Sequence, residues 1–208
     1  MNKTRIKVCG ICTVADAKKA CNAGADAIGM VFYAKSPRNV TVKSAMEIVS
    51  SLPPFISAVG LFVNSSQQEV NQVLSRVRLD LLQFHGDEDE VFCNSFDRPY
   101  IKVVRVKRDT DLASSCQQYA SARGILLDSY KKGTAGGSGE AFDWSLIPND
   151  LSLPVILAGG LNPENVAVAV SRVQPWAVDV SSGVEESPGK KDAYKIEQFI
   201  SAVKRAEK

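Results

Sequence analysis

Apolar residues in this 208-residue chain fall into two alternating patterns. Short runs rich in Val, Ile, Leu and Phe have the length of a single buried strand. Between them lie longer stretches with apolar positions every three or four residues, the spacing of a helix with one buried face. The short runs cover 6–9, 27–32, 55–63, 79–84, 100–106, 124–127, 155–158 and 177–180. The longer pattern predicts helices over 14–23, from an N-cap at Thr41 to about 51, over 67–77, over 109–122 and from 192 to about 205. Asp87-Glu88-Asp89-Glu90 suits the positive end of a helix dipole. Asn162-Pro163-Glu164 reads as a helix start with proline in its first turn, and Trp144 marks a short helical turn.

Eight strands, each followed by a helix or helical turn, imply a parallel sheet covered by helices. The expected fold class is α/β, a single-domain (β/α)8 barrel spanning 1–208. The usual size is about 250 residues, so this barrel is near-minimal. A doubly wound open sheet is the alternative, disfavoured by the eight-unit count and by the lack of an early dinucleotide fingerprint.

The composition, 45% hydrophobic and 23% charged, is that of an ordinary globular protein. Net charge is +2 with both signs mixed, which argues against a nucleic-acid surface. The densest basic stretch, 102–108, is expected to be the solvated end of a strand, and the polar segment 185–192 a surface loop. No apolar run is long enough to cross a bilayer, and 1–5 leads into the first strand without the apolar segment of a signal peptide. Five scattered cysteines are not a disulfide framework, so a reducing, cytoplasmic location is expected.

In such a barrel the residues just after each strand line the catalytic face. Here they are Cys9, the loop carrying Arg38, Asn64, His85, Asp128, Gly159-Gly160 and Ser181-Ser182-Gly183. Glycine-bearing loops after strands seven and eight are where this fold holds phosphate, with backbone N–H groups aimed at the anion. Cys9 and Asp128 are the candidates for proton transfer, from opposite sides of the barrel. A thiol acting as base needs its pKa lowered, and Lys7, on the same pleat face, is placed to supply part of that shift. Arg38 suits a planar carboxylate. His85 is the only histidine and is counted with the substrate-facing residues. No metal site is expected: Cys9 and Cys12 lack further partners at ligand spacing.

Several segments resemble phosphoribosylanthranilate isomerase: Lys7-Val8-Cys9-Gly10-Ile11, Gly60-Leu61-Phe62-Val63-Asn64, Leu82-Gln83-Phe84-His85-Gly86 and Leu126-Leu127-Asp128-Ser129. So do Gly136-Gly137-Ser138-Gly139 with Phe142-Asp143-Trp144, Gly159-Gly160-Leu161-Asn162-Pro163-Glu164-Asn165-Val166, and Val178-Asp179-Val180-Ser181-Ser182-Gly183-Val184-Glu185 with Pro188-Gly189-Lys190-Lys191-Asp192. The resemblance spans the chain in family order. It implies a (β/α)8 enzyme of tryptophan biosynthesis that performs an Amadori rearrangement on a phosphosugar, without metal or organic cofactor, as a monomer or homodimer. By position Cys9 resembles the general base and Asp128 the general acid. Arg38 matches the holder of the anthranilate carboxylate. Gly159, Gly160, Ser181, Ser182 and Gly183 match the phosphate cup, and Asp179 is placed near the ribose. The glycine loop 133–139 is expected to act as a lid.

Cys12 departs from the family, which commonly has threonine there. An oxidative disulfide with Cys9 is one reading, and replacement of a small polar residue at a helix start is the other. Rival activities fit less well. A ribulose-phosphate epimerase wants a metal set that one histidine cannot supply. An indole-glycerol-phosphate synthase wants a catalytic lysine where Cys9 stands. A thioredoxin-like redox domain does not supply eight units, and a catalytically dead phosphate binder would not need Cys9, Asp128 and Arg38 together.

Overall fold

Each of the eight apolar runs becomes a parallel strand. They are β1 (Arg5–Cys9), β2 (Ala27–Val31), β3 (Ser57–Phe62), β4 (Leu81–Phe84), β5 (Tyr100–Val106), β6 (Ile125–Ser129), β7 (Val155–Leu157) and β8 (Ala177–Val180). The computed structural model describes residues 3–129, 143–148 and 150–207. Neighbouring strands pair in chain order, and β8 pairs back onto β1 from Arg5↔Ala177 to Val8↔Val180, closing the barrel. The expected barrel is therefore the one formed. The expected lid, with Gly133, Gly136, Gly137 and Gly139, lies outside the described residues.

Local chemistry sets where the helices begin and end. Thr13 caps α1 (Val14–Ala23) by accepting from the Asp16 N–H, and Gly24 ends it at φ 102°. Thr41 caps α2 (Val42–Ser50) in the same way. Ser66 and Glu69 form a reciprocal capping box on α3 (Gln67–Leu74). Asp89 caps the single turn of α4 (Glu90–Cys93). The helix expected over 109–122 is shorter, α5 (Leu112–Gln118): Asp111 takes the Ser114 N–H, and Tyr119 leaves helical geometry with its hydroxyl donating to the Glu88 carbonyl at 2.9 Å. α6 (Val166–Val173) starts four residues past Asn162, because the Asn162 side chain already accepts the N–H groups of Glu164 and Asn165 in a turn. Asp192 caps α7 (Ala193–Ala206).

Alternation along the strands sorts residues between two cores. Ile101, Val103, Leu126, Ile156, Ala158 and Ala177 fill the barrel interior. The larger core lies between strands and helices and includes Ile6, Val8, Ile28, Leu82, Phe84, Ile196 and Phe199. Phe84 stands at its aromatic centre, with Phe62, Phe92, Phe96 and Tyr100 rings 5.7 to 6.2 Å away.

Two sequence expectations hold only in part. In the basic stretch 102–108, Lys107 and Arg108 are exposed as expected. Lys102 is instead buried, with Nζ 2.8 Å from Glu88 Oε2 and 2.7 Å from the Gly86 carbonyl. Glu88 also accepts the N–H groups of Asn64 and Gly86, so one buried ion pair organises the turn after β4. The segment 185–192 exposes its tip, Glu186, Ser187, Pro188 and Lys190, but it is not a plain loop. It forms an antiparallel ribbon, β9 (Glu185–Ser187) and β10 (Lys190–Lys191), whose Glu185 and Lys191 side chains are buried.

Candidate active site

The C-terminal ends of the strands surround a cavity of about 470 Å³, walled by Cys9, Arg38, His85, Asp128, Gly159, Gly160, Asp179, Ser181 and Ser182. Inward strand positions supply Cys9, Asp128 and Asp179, and the loops just past the strands supply the rest. Of the residues expected to be catalytic or to bind substrate, only Gly183 is off the wall. A Cβ there would lie 2.0 Å from the Leu161 carbonyl, so Gly183 serves the close packing of the β8 loop on the β7 loop. The strand-end residue Asn64 is off the wall too, its side chain paired with Asp87.

Cys9 lies at the end of β1 with Lys7 one pleat below it. A Cβ on Gly29, in the neighbouring strand, would sit 2.7 Å from Cys9 Sγ and 3.1 Å from Lys7 Nζ, so both groups converge over that glycine. Lys7 Nζ also pairs with Asp179 Oδ2 at 2.9 Å inside the barrel. The thiol's environment runs against the sequence expectation. Burial pushes Cys9 above the ordinary thiol range, Lys7 pulls it down, and the Asp179 charge pushes it up again. Lys7 is in place, but the thiol stays above its ordinary range. The Lys7 cation loses solvation on burial, yet Asp179 and Cys9 hold it above the usual lysine value.

Asp128 is buried at the end of β6, its Oδ1 accepting from the Ser129 N–H at 2.8 Å. Its Oδ2 lies 3.2 Å from His85 Nε2 but off hydrogen-bond alignment, which leaves that ring nitrogen without a hydrogen-bond partner. Gly159 makes room for this carboxylate. It adopts φ 77°, and a Cβ there would come within 2.3 Å of the Ser129 nitrogen and 2.8 Å of Asp128 Oδ1. The carbonyl of His85 is fixed in turn by the Arg105 guanidinium at 3.2 Å.

Arg38 reaches the cavity from the loop after β2 but does not stand alone. Its Nε and Nη2 grip Glu185 at 2.8 and 2.7 Å in a bidentate pair. Lys191, fully buried, donates to Glu185 Oε1 at 2.8 Å and to the Ser181 carbonyl at 3.0 Å. Burial alone would push Glu185 up, and the hydrogen bonds from Arg38 and Lys191 hold it below the usual carboxylate range. Burial pulls Lys191 down from the usual lysine value against the pull of Glu185.

Cys12 is not on the cavity wall. Its thiol points to the carbonyls of Gly10 and Arg38, at 3.6 and 3.5 Å, as a hydroxyl at a helix start would. All five thiols are free. Among the described residues no group of three or more His, Cys, Asp or Glu side chains is arranged to hold a metal.

Sequence reasoning missed Gln83 and Arg105, which line the cavity, and the partners Glu185 and Lys191 behind it. Gln83 was discoverable, because it stands two residues before His85 on β4. Its Oε1 and Asp179 Oδ1 are buried without partners, acceptors left over for a ligand's hydroxyls.

Comparison with known proteins agrees with this geometry. The family model for N-(5'phosphoribosyl)anthranilate (PRA) isomerase matches residues 6–202. The N-(5'-phosphoribosyl)anthranilate isomerase of Pseudomonas fluorescens (strain Pf0-1) is 59% identical over 204 residues, covering 98% of this chain and 100% of that protein. The crystal structure of phosphoribosyl anthranilate isomerase from Thermotoga maritima matches at a TM-score of 0.90 and 43% identity, over 97% of this chain and 99% of that one. A structure of such an isomerase in complex with reduced 1-(o-carboxyphenylamino)-1-deoxyribulose 5-phosphate matches at 0.87 and 41%, with the same coverage. The chain belongs to the N-(5'-phosphoribosyl)anthranilate isomerase family, the aldose–ketose isomerases of tryptophan biosynthesis.

Proposed function

We propose that this chain converts N-(5-phosphoribosyl)anthranilate to 1-(2-carboxyphenylamino)-1-deoxyribulose 5-phosphate with Cys9 as general base and Asp128 as general acid. The observation that carries the assignment is one cavity bearing a thiol from β1 and a carboxylate from β6, with glycine loops and an arginine around its rim. Asp128 protonates the ring oxygen as the furanose opens, while the anilino nitrogen's lone pair forms the double bond to C1′. Cys9 then removes the proton from C2′, and the enolamine tautomerises to the ketose as C1′ gains a proton and the C2′ hydroxyl loses its own.

Gly159, Gly160, Ser181 and Ser182 hold the phosphate, far enough from the reacting carbons that its binding energy orients them. Arg38 holds the anthranilate carboxylate. Asp179 and His85 face the ribose, where the open Asp179 Oδ1 accepts a hydroxyl. The five free thiols support a reducing cytoplasm as the working compartment, and among the described residues no helix is long and apolar enough to cross a membrane. One structural relative is a generated monomer of the dimeric isomerase from Thermotoga maritima, and sedimentation would distinguish monomer from homodimer here.

The test follows the loss of substrate fluorescence with freshly made phosphoribosylanthranilate. Cys9→Ala and Asp128→Asn are each expected to reduce kcat by about 10²–10⁴-fold. Full activity in Cys9→Ala would overturn the assignment of the base.

A further inference from the structure

Arg38 faces a difficulty as a carboxylate holder. A long, flexible arginine on a loop binds well only if its rotamers are fixed beforehand, yet a carboxylate that fixes it also cancels its charge. The β9–β10 ribbon meets both requirements. Glu185 grips the Nε and Nη2 positions of the guanidinium, leaving the Nη1 end outside that pair. Lys191 shares the Glu185 carboxylate, so the trio of two cations and one anion keeps a surplus positive charge beside the cavity. Lys191 also donates to the Ser181 carbonyl, which ties the trio to the loop after β8. The two loops meet at Gly10, where an added Cβ would lie 2.6 Å from Arg38 Cδ and 2.9 Å from Ser181 Oγ.

We propose that Glu185 is a positioning residue for substrate: it presets the Arg38 guanidinium to receive the anthranilate carboxylate, and Lys191 keeps that guanidinium's charge uncancelled. The proposal rests on the reading that Arg38 holds that carboxylate. Glu185 itself touches no reacting atom, so its effect belongs in KM and depends on Arg38.

The experiment is a double-mutant cycle in steady-state kinetics with phosphoribosylanthranilate, using Glu185→Gln, Arg38→Ala and the combination, with thermal melting of each. Glu185→Gln is expected to raise KM about tenfold, the scale of losing one charge-assisted pair, with kcat changed less than about twofold. In the Arg38→Ala background it is expected to add nothing to KM. An equal rise of KM in both backgrounds would overturn the proposal, since Glu185 would then act without Arg38. So would an unchanged KM in Glu185→Gln while Arg38→Ala raises it. If Arg38→Ala itself leaves KM unchanged, the assignment of Arg38 is what fails. Should Glu185→Gln not fold, Glu185→Asp keeps the charge but shortens the reach. It is expected to show the same Arg38-dependent rise, and a KM equal to wild type would overturn the proposal.

Discussion

A buried thiol has to give up its proton before it can serve as a base, and the surroundings of Cys9 oppose this more than they favour it. Burial dominates and holds the thiol above its ordinary range, with Lys7 working against it. The base form is therefore the minor one at neutral pH. We expect kcat/KM of the free enzyme to rise with pH along a limb centred above the ordinary thiol value, about 8.5. Asp179→Asn removes the anion that raises Cys9 and leaves Lys7 to face the sulfur, so the limb should move to lower pH even as kcat falls. A pH–rate profile of both proteins checks the direction, and a limb that stays put would show that Asp179 does not tune the thiol. Cys9 and Asp128 were legible in the sequence because each ends an apolar strand. The Lys7–Asp179 pair was not, since its members are 172 positions apart and only barrel closure brings them together.

Among the elements, the two places where polar sequence hid buried structure are the turn after β4 and the β9–β10 ribbon. A lysine or glutamate in a polar stretch carries no local sign that its partner will enclose it. Periodicity reports the faces of a strand, not what covers them. Breaking such a pair from one side leaves a buried charge uncompensated. Lys102→Met, stranding Glu88, is expected to cost about 3–5 kcal/mol. Lys3→Ala, which removes an exposed partner of Asp26, should cost under about 1 kcal/mol. Urea denaturation of the two variants gives the contrast directly. In the ribbon, Glu185 has a folded pKa held below its unfolded value of about 4.3. The stability it contributes is full above that unfolded value and is lost as pH falls through the lower folded one. The difference in stability between wild type and Glu185→Gln should therefore shrink on acidification below about pH 4, as equilibrium unfolding at a series of pH values would show.

On the scale of the whole molecule, the fold was legible because eight repeats of one pattern leave few architectures. The helix ends were less so, being set by single side chains such as Asn162 and Tyr119 whose competing hydrogen bonds depend on the turn around them. The aromatic centre of the outer core offers a global test: Phe84→Ala should destabilise by about 3–5 kcal/mol without moving KM, since the ring packs on the helix side of the wall. Closure of the barrel through β1 and β8 has a further consequence for biosynthesis. Lys7 precedes Asp179 by 172 positions, so a nascent chain carries an unmatched cation in β1 until β8 has been made. The catalytic pocket is completed last, by the segment that supplies Asp179, Ser181 and the ribbon. Long-range closure of this kind is slow relative to local folding, so full activity should trail helix formation both on the ribosome and in refolding after dilution from urea.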